Sequence, residues 1–146
     1  FLGEYREFRT FFHGHTYTGN PLACAAAIAS IDLFQKEKTL VKLRPKITLL
    51  SKKLDDIRKL KQVGEVRHRG FMVGIELVKN RLTKEPYPPE DKIGFKVVLE
   101  CRRQGLIIRP LGNVLVLMPP LSITMKELER MLQIVHASIK RITEEG

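Results

Sequence analysis

The segment Gly14-His15-Thr16-Tyr17-Thr18-Gly19-Asn20 concentrates the groups most able to do chemistry. A hydroxyl-rich loop flanked by glycines and leading into a helix offers backbone N–H groups and side-chain donors to an anion such as phosphate. Gly14 and Gly19 stand at the spacing of a nucleotide-binding P-loop. Asn20-Pro21 occupies the places of its lysine and its hydroxyl residue, however, which argues against an ATP site and leaves a phosphate contact of another kind open. The competing reading is a tight loop whose glycines serve only the turn. His13 and His15 lie two residues apart, with no third ligand at an obvious spacing, so no metal centre is expected. Arg109 closes a mostly apolar stretch directly before Pro110-Leu111-Gly112. A guanidinium there could hold a carboxylate through two parallel hydrogen bonds, or form a surface ion pair; spacing alone does not choose.

The remaining reactive side chains read as structural. His68 and His136 fall on predicted elements, as framework or surface groups. Cys24 and Cys101, the only two cysteines, read as small buried hydrophobes in a reducing, cytoplasmic setting rather than as a disulfide or a zinc site.

The elements that must position these groups follow from periodicity and caps. Asn20-Pro21 predicts a helix start, with Asn as N-cap and Pro in the first helical position. The helix then runs from Leu22 to Phe34, and its many small side chains suggest close packing on several sides. A second helix is expected over about 39–61, with Pro45 marking a kink or a boundary. Leu40, Leu43, Ile47, Leu50, Leu54 and Ile57 form its buried stripe. Phe71, Val73, Ile75 and Leu77 alternate with Met72, Gly74, Glu76 and Val78 as a strand. Residues 80–91 read as a loop, and about 91–103 as a helix with Gly105 as C-cap. Leu106–Arg109 and Val114–Met118 read as a hairpin around Pro110-Leu111-Gly112-Asn113. Thr124 with Glu127 is a capping box for a last helix with Leu128, Met131 or Leu132, Val135, Ile139 and Ile142 inward. This order predicts an α+β fold, a small antiparallel sheet packed with helices.

The chain has 146 residues, enough for one hydrophobic core, and a formal net charge of +10. Residues 36–61 hold 10 basic and three acidic side chains. The apolar stripe runs through this block and it has no aromatic residue to stack on bases, so it reads as a solvated helix face and no nucleic-acid partner is expected. No apolar run approaches the roughly 20 residues of a membrane helix, and no membrane partner is expected.

His13-Gly14-His15-Thr16-Tyr17-Thr18-Gly19-Asn20-Pro21-Leu22-Ala23-Cys24-Ala25-Ala26 resembles the signature loop and helix of the class III, fold-type I, pyridoxal-phosphate (PLP) dependent aminotransferases. Gly105-Leu106-Ile107-Ile108-Arg109-Pro110-Leu111-Gly112, followed by Leu117-Met118-Pro119-Pro120-Leu121, resembles the C-terminal hairpin of that family. Within it, the two blocks are most similar to the branch that serves biotin biosynthesis. The resemblance covers essentially the whole chain but only the final part of such an enzyme, and the start at Phe1, without Met, reads as the middle of something longer.

The resemblance implies a division into residues 1–20, the end of the large PLP-binding domain with its cofactor phosphate loop, and residues 21–146, a connecting helix and the C-terminal small domain. It implies that Thr16, with the backbone at His15, contacts the PLP phosphate in the partner subunit's site of a homodimer. Gly14 would line the substrate site, and Arg109 would bind the carboxylate of 8-amino-7-oxononanoate, the small-molecule acceptor of an amino group from S-adenosylmethionine (in some relatives, from lysine). The lysine that binds PLP covalently and the aspartate that pairs with its ring nitrogen are expected upstream of Phe1, so this chain alone is expected to be inactive. Two other readings remain: an ω-aminotransferase of the same class, and a stand-alone, non-catalytic interaction domain.

Overall fold

The computed structural model describes residues 3–9, 14, 16 and 18–144. They fall into two compact units, which meet in sequence at Thr39 and Leu40.

The first unit holds a short 3-10 turn, Tyr5–Glu7, and helix α1, Pro21–Lys36. Asn20 caps α1 as expected: its Oδ1 accepts hydrogen bonds from the N–H groups of Leu22 at 3.0 Å and Ala23 at 3.1 Å. The expected close packing is not found, because every residue of α1 is exposed, Ile28 at 61% and Phe34 at 40%. Alanine is the strongest helix former, so the run of small side chains secures a helix without implying a buried one. Cys24 is exposed for the same reason, against the expectation of a buried hydrophobe.

The second unit contains the sheet. Helix α2, Thr39–Arg58, passes through Pro45 without ending there. Proline removes one backbone donor; the helix is held regardless by Leu43, Leu50, Leu54 and Ile57, all buried. Leu40, expected in the same stripe, is 68% exposed at the first turn. Strands β1, Val63–Arg69, and β2, Met72–Asn80, form an antiparallel hairpin. Val73, Ile75 and Leu77 face the core as the alternation predicts, and Phe71 is buried in the turn before them. The segment expected as loop over 80–91 contains a two-residue strand, β3 (Glu85–Pro86), paired with β2.

Helix α3, Ile93–Arg103, ends as expected at Gly105, where φ is +89°. The Leu106 N–H reaches the Cys101 carbonyl at 2.9 Å and the Gly105 N–H reaches that of Arg102 at 3.0 Å, the paired bonds of a Schellman cap. Strands β4, Arg109–Leu111, and β5, Val114–Leu117, form a hairpin with a two-residue turn, Gly112-Asn113. The strand expected over 106–109 therefore lies further along: Arg109 begins it, and Pro110 is inside it. This is tolerated because β4 is an edge strand in the order β1-β2-β5-β4. Helix α4, Met125–Glu144, opens on the expected capping box. Glu127 N–H donates to Thr124 Oγ1 at 3.2 Å, and the Glu127 carboxylate accepts from Thr124 N–H at 2.8 Å. Leu128, Met131, Leu132, Val135 and Ile139 are buried in one core with the sheet and α2. The result is an α+β unit with a small antiparallel sheet, as expected.

Candidate functional site

Of the loop before α1, residues 14, 16 and 18–20 are described. Thr16 and Gly14 are both exposed, and a Cβ on Gly14 would meet nothing within 4 Å, so the chain leaves open space there. Asn20 already satisfies the N–H groups of Leu22 and Ala23. An anion at this loop would therefore be met by the loop's own hydroxyl and amide groups rather than by those two amides of the helix end. His13 and His15 lie outside the described residues, so neither the backbone contact at His15 nor the histidine pair has a described geometry. Among the described residues, no three His, Cys, Asp or Glu side chains are grouped to hold a metal ion.

Arg109 is placed by β4, which pairs with β5, and the turn joining them is held by one main-chain and one side-chain hydrogen bond. Leu77 N–H donates to the Asn113 carbonyl at 2.9 Å, and Asn113 Nδ2 donates to the Tyr87 carbonyl at 2.8 Å. Both are made by Asn113, the second residue of the β4–β5 turn. From the start of β4 the Arg109 side chain lines an open cavity of about 760 Å³ between the β4–β5 hairpin and α4. Ile108, Leu117, Met131 and Ile134 make much of its wall apolar. Arg109 is exposed, and its guanidinium has no hydrogen-bond or ion-pair partner among the described residues. The surface ion pair that competed with a carboxylate clamp is thus not formed.

Two more charged residues line the cavity, Glu127 and Arg130, and the sequence reading singled out neither as a site residue. Glu127 is committed to its cap: hydrogen bonds from the backbone and then the hydroxyl of Thr124 hold its carboxyl below the usual carboxylate range. Arg130 is exposed and, like Arg109, unpartnered among the described residues. Only the folding of α4 against the core brings it to the cavity, and no local spacing signals that. Cys101 is fully buried, and burial first of all pushes its thiol pKa up, in keeping with an inert packing role. His68 and His136 are half-buried on β1 and α4.

The description of class-III aminotransferases matches residues 4–139 of this chain. The chain belongs to that family.

This class-III chain is 58% identical over 146 residues, all of it, to the adenosylmethionine-8-amino-7-oxononanoate aminotransferase of Nitratidesulfovibrio vulgaris, and covers 27% of that protein. It is 49% identical over 140 residues to the protein of the same name from Methanocaldococcus jannaschii, covering 96% of this chain and 30% of the relative. The crystal structure of the archaeal protein matches with a TM-score of 0.86 over 97% of this chain and 32% of that one. A thermostable (S)-enantioselective omega-transaminase from Thermomicrobium roseum matches at 34% identity with a TM-score of 0.84, over 94% of this chain and 31% of its own. The class-III chain therefore spans less than a third of the length of these relatives. The two structural matches differ little in TM-score and much in identity, so sequence and not backbone distinguishes the branches.

Proposed function

We propose that this chain is the C-terminal part of a PLP-dependent aminotransferase of biotin biosynthesis, which moves an amino group from S-adenosylmethionine to 8-amino-7-oxononanoate and yields 7,8-diaminononanoate. The observation that carries the reading is Arg109, an unpartnered guanidinium on an apolar cavity wall. An aliphatic chain ending in a carboxylate is the ligand such a surface complements, because the methylenes lose apolar hydration while the charge keeps a bidentate partner. Identities of 46–58% to five proteins named for the 8-amino-7-oxononanoate reaction support this substrate over those of other class-III enzymes.

In this reading residues 1–20 end the large domain and residues 21–146 form the connecting helix and small domain of a cytoplasmic homodimer. Thr16, with the backbone at His15, holds the PLP phosphate of the partner subunit, and Gly14 leaves room for the substrate. The donor set fits that role to a limited extent. Thr16 supplies one hydroxyl, its loop supplies amide donors, and no lysine or arginine stands between Gly14 and Asn20. These groups suit one side of a phosphate, and other parts of the whole enzyme must supply the rest. Bound PLP supplies the electron-withdrawing ring on which amino transfer depends. Arg109 orients the acceptor by its far end, so its role is binding and alignment rather than proton transfer.

The test is Arg109→Ala in the whole aminotransferase, assayed with 8-amino-7-oxononanoate and with S-adenosylmethionine or lysine as donor. Removing a charged bidentate partner costs about 2–5 kcal/mol. The expected result is a fall in kcat/KM for the carboxylate substrate of that size, with PLP retained. Unchanged kcat and KM would remove Arg109 from the site, and activity only with ω-amino acids and pyruvate would replace this branch by the ω-aminotransferases.

A further inference from the structure

We infer that Arg130 is a second specificity-determining cation for the carboxylate end of the substrate, acting beside Arg109 from the facing helix. The inference rests on the placement of the substrate carboxylate proposed above.

Three observations carry it. Arg109 at the start of β4 and Arg130 in the second turn of α4 line the same cavity. Neither guanidinium has a hydrogen-bond or ion-pair partner among the described residues. Glu127, the one acidic residue on the cavity wall and one helical turn before Arg130, is turned to its own cap, where its carboxylate accepts from Thr124 N–H at 2.8 Å and Thr124 Oγ1 at 2.7 Å. The capping box thus withdraws the acid that would otherwise pair with Arg130 at i,i+3. Glu127 keeps its negative charge, so the cavity carries two cations and one anion over a largely apolar wall, a net positive charge that favours an anionic end on an otherwise apolar ligand. Arg109 supplies the direct clamp. Arg130, on the rim, adds attraction that acts over several ångströms and weakens with salt.

The experiment is Arg130→Gln in the whole PLP-loaded enzyme, assayed with 8-amino-7-oxononanoate and with its primary amide across a range of ionic strength, with Arg109→Ala in parallel. For the carboxylate at low salt, KM should rise about threefold to tenfold with kcat unchanged, as expected for one partly screened charge. The salt dependence of kcat/KM should flatten, and the amide should react alike in wild type and variant. An unchanged KM and salt dependence would overturn the inference, as would equal losses with carboxylate and amide, or lowered thermal stability with no change in KM. If Arg109→Ala loses the carboxylate preference and Arg130→Gln keeps it, the inference fails and the proposed function stands. If neither variant loses it, the proposed carboxylate site itself is wrong.

Discussion

Glu100 shows how much a single side chain can carry in this chain away from the cavity. It is 2% exposed on α3, and its carboxylate accepts hydrogen bonds from Arg103 at 3.2 Å, Gln104 at 3.2 Å and Arg141 of α4 at 3.0 Å. Burial opposes its charged form, but the bonds from Arg103 and Gln104 and the charges of Arg141 and Arg103 together outweigh it and hold the pKa below the usual carboxylate value. A carboxyl whose pKa falls on folding stabilises the native state above its unfolded pKa, near 4.5, and that contribution is lost as pH drops through the lower, folded value. Glu100→Gln should therefore lower Tm at pH 7, and the gap to wild type should narrow as the pH is brought below about 4.5. Thermal melts of both proteins over pH 3–7 check this; a gap independent of pH would mean that shape rather than charge matters at this position.

Among the elements, strand β2 pairs with the hairpin that carries Arg109, and α3 is the helix that packs against it. A Cβ placed on Gly94 would run into the Gly112 carbonyl oxygen and lie 3.0 Å from Pro110 Cβ, so only glycine lets the first turn of α3 seat against the β4–β5 turn. Gly94→Ala gains up to about 1 kcal/mol of helix propensity, while overpacking costs about 1–3 kcal/mol. The expected outcome is a lower Tm together with a raised KM for the carboxylate substrate, because the displaced turn is that of Arg109's own hairpin; a rise in Tm with unchanged KM would contradict it. What the sequence revealed at this scale was whatever is settled within one turn of chain. Asn20, Gly105 and the Thr124–Glu127 pair bond to residues a few positions away, and all three behave as read. Burial was less legible, because it depends on what a face meets. The alanines of α1 and Leu40 of α2 have the right composition for a core and are exposed. Arg109 was legible as a candidate, whereas Arg130 was not, since its place on the cavity wall exists only once α4 has folded back.

For the whole molecule, the proposed function requires a lysine that can bind PLP covalently, and three of the described lysines are engaged in other contacts. Such a lysine is activated when its surroundings lower its pKa. Lys53 and Lys59 are shifted the other way, first of all by hydrogen bonds to Glu129 and Asp56, and Lys46 Nζ is bonded to the Leu121 carbonyl at 3.0 Å. The 146-residue chain incubated with PLP and reduced with borohydride should yield no stoichiometric adduct at any one lysine, as read by peptide mass spectrometry. A single fully labelled lysine would overturn the assignment of that group to other parts of the enzyme. The most basic stretch of the chain lies on and around α2, which buries Leu43, Leu50, Leu54 and Ile57 on one face and holds Lys53 and Arg58 in ion pairs on its solvent side.

Pro110 gives the edge of the sheet a property distinct from ligand binding. β4 is three residues long, and its middle residue has no amide hydrogen. A foreign strand approaching that edge would find a ladder with one donor missing at its centre and a charged arginine at its start, two devices that discourage edge-to-edge pairing. The short strand that carries Arg109 is thus also a poor template for aggregation, so a residue proposed to bind a ligand can sit at a sheet margin without making that margin adhesive.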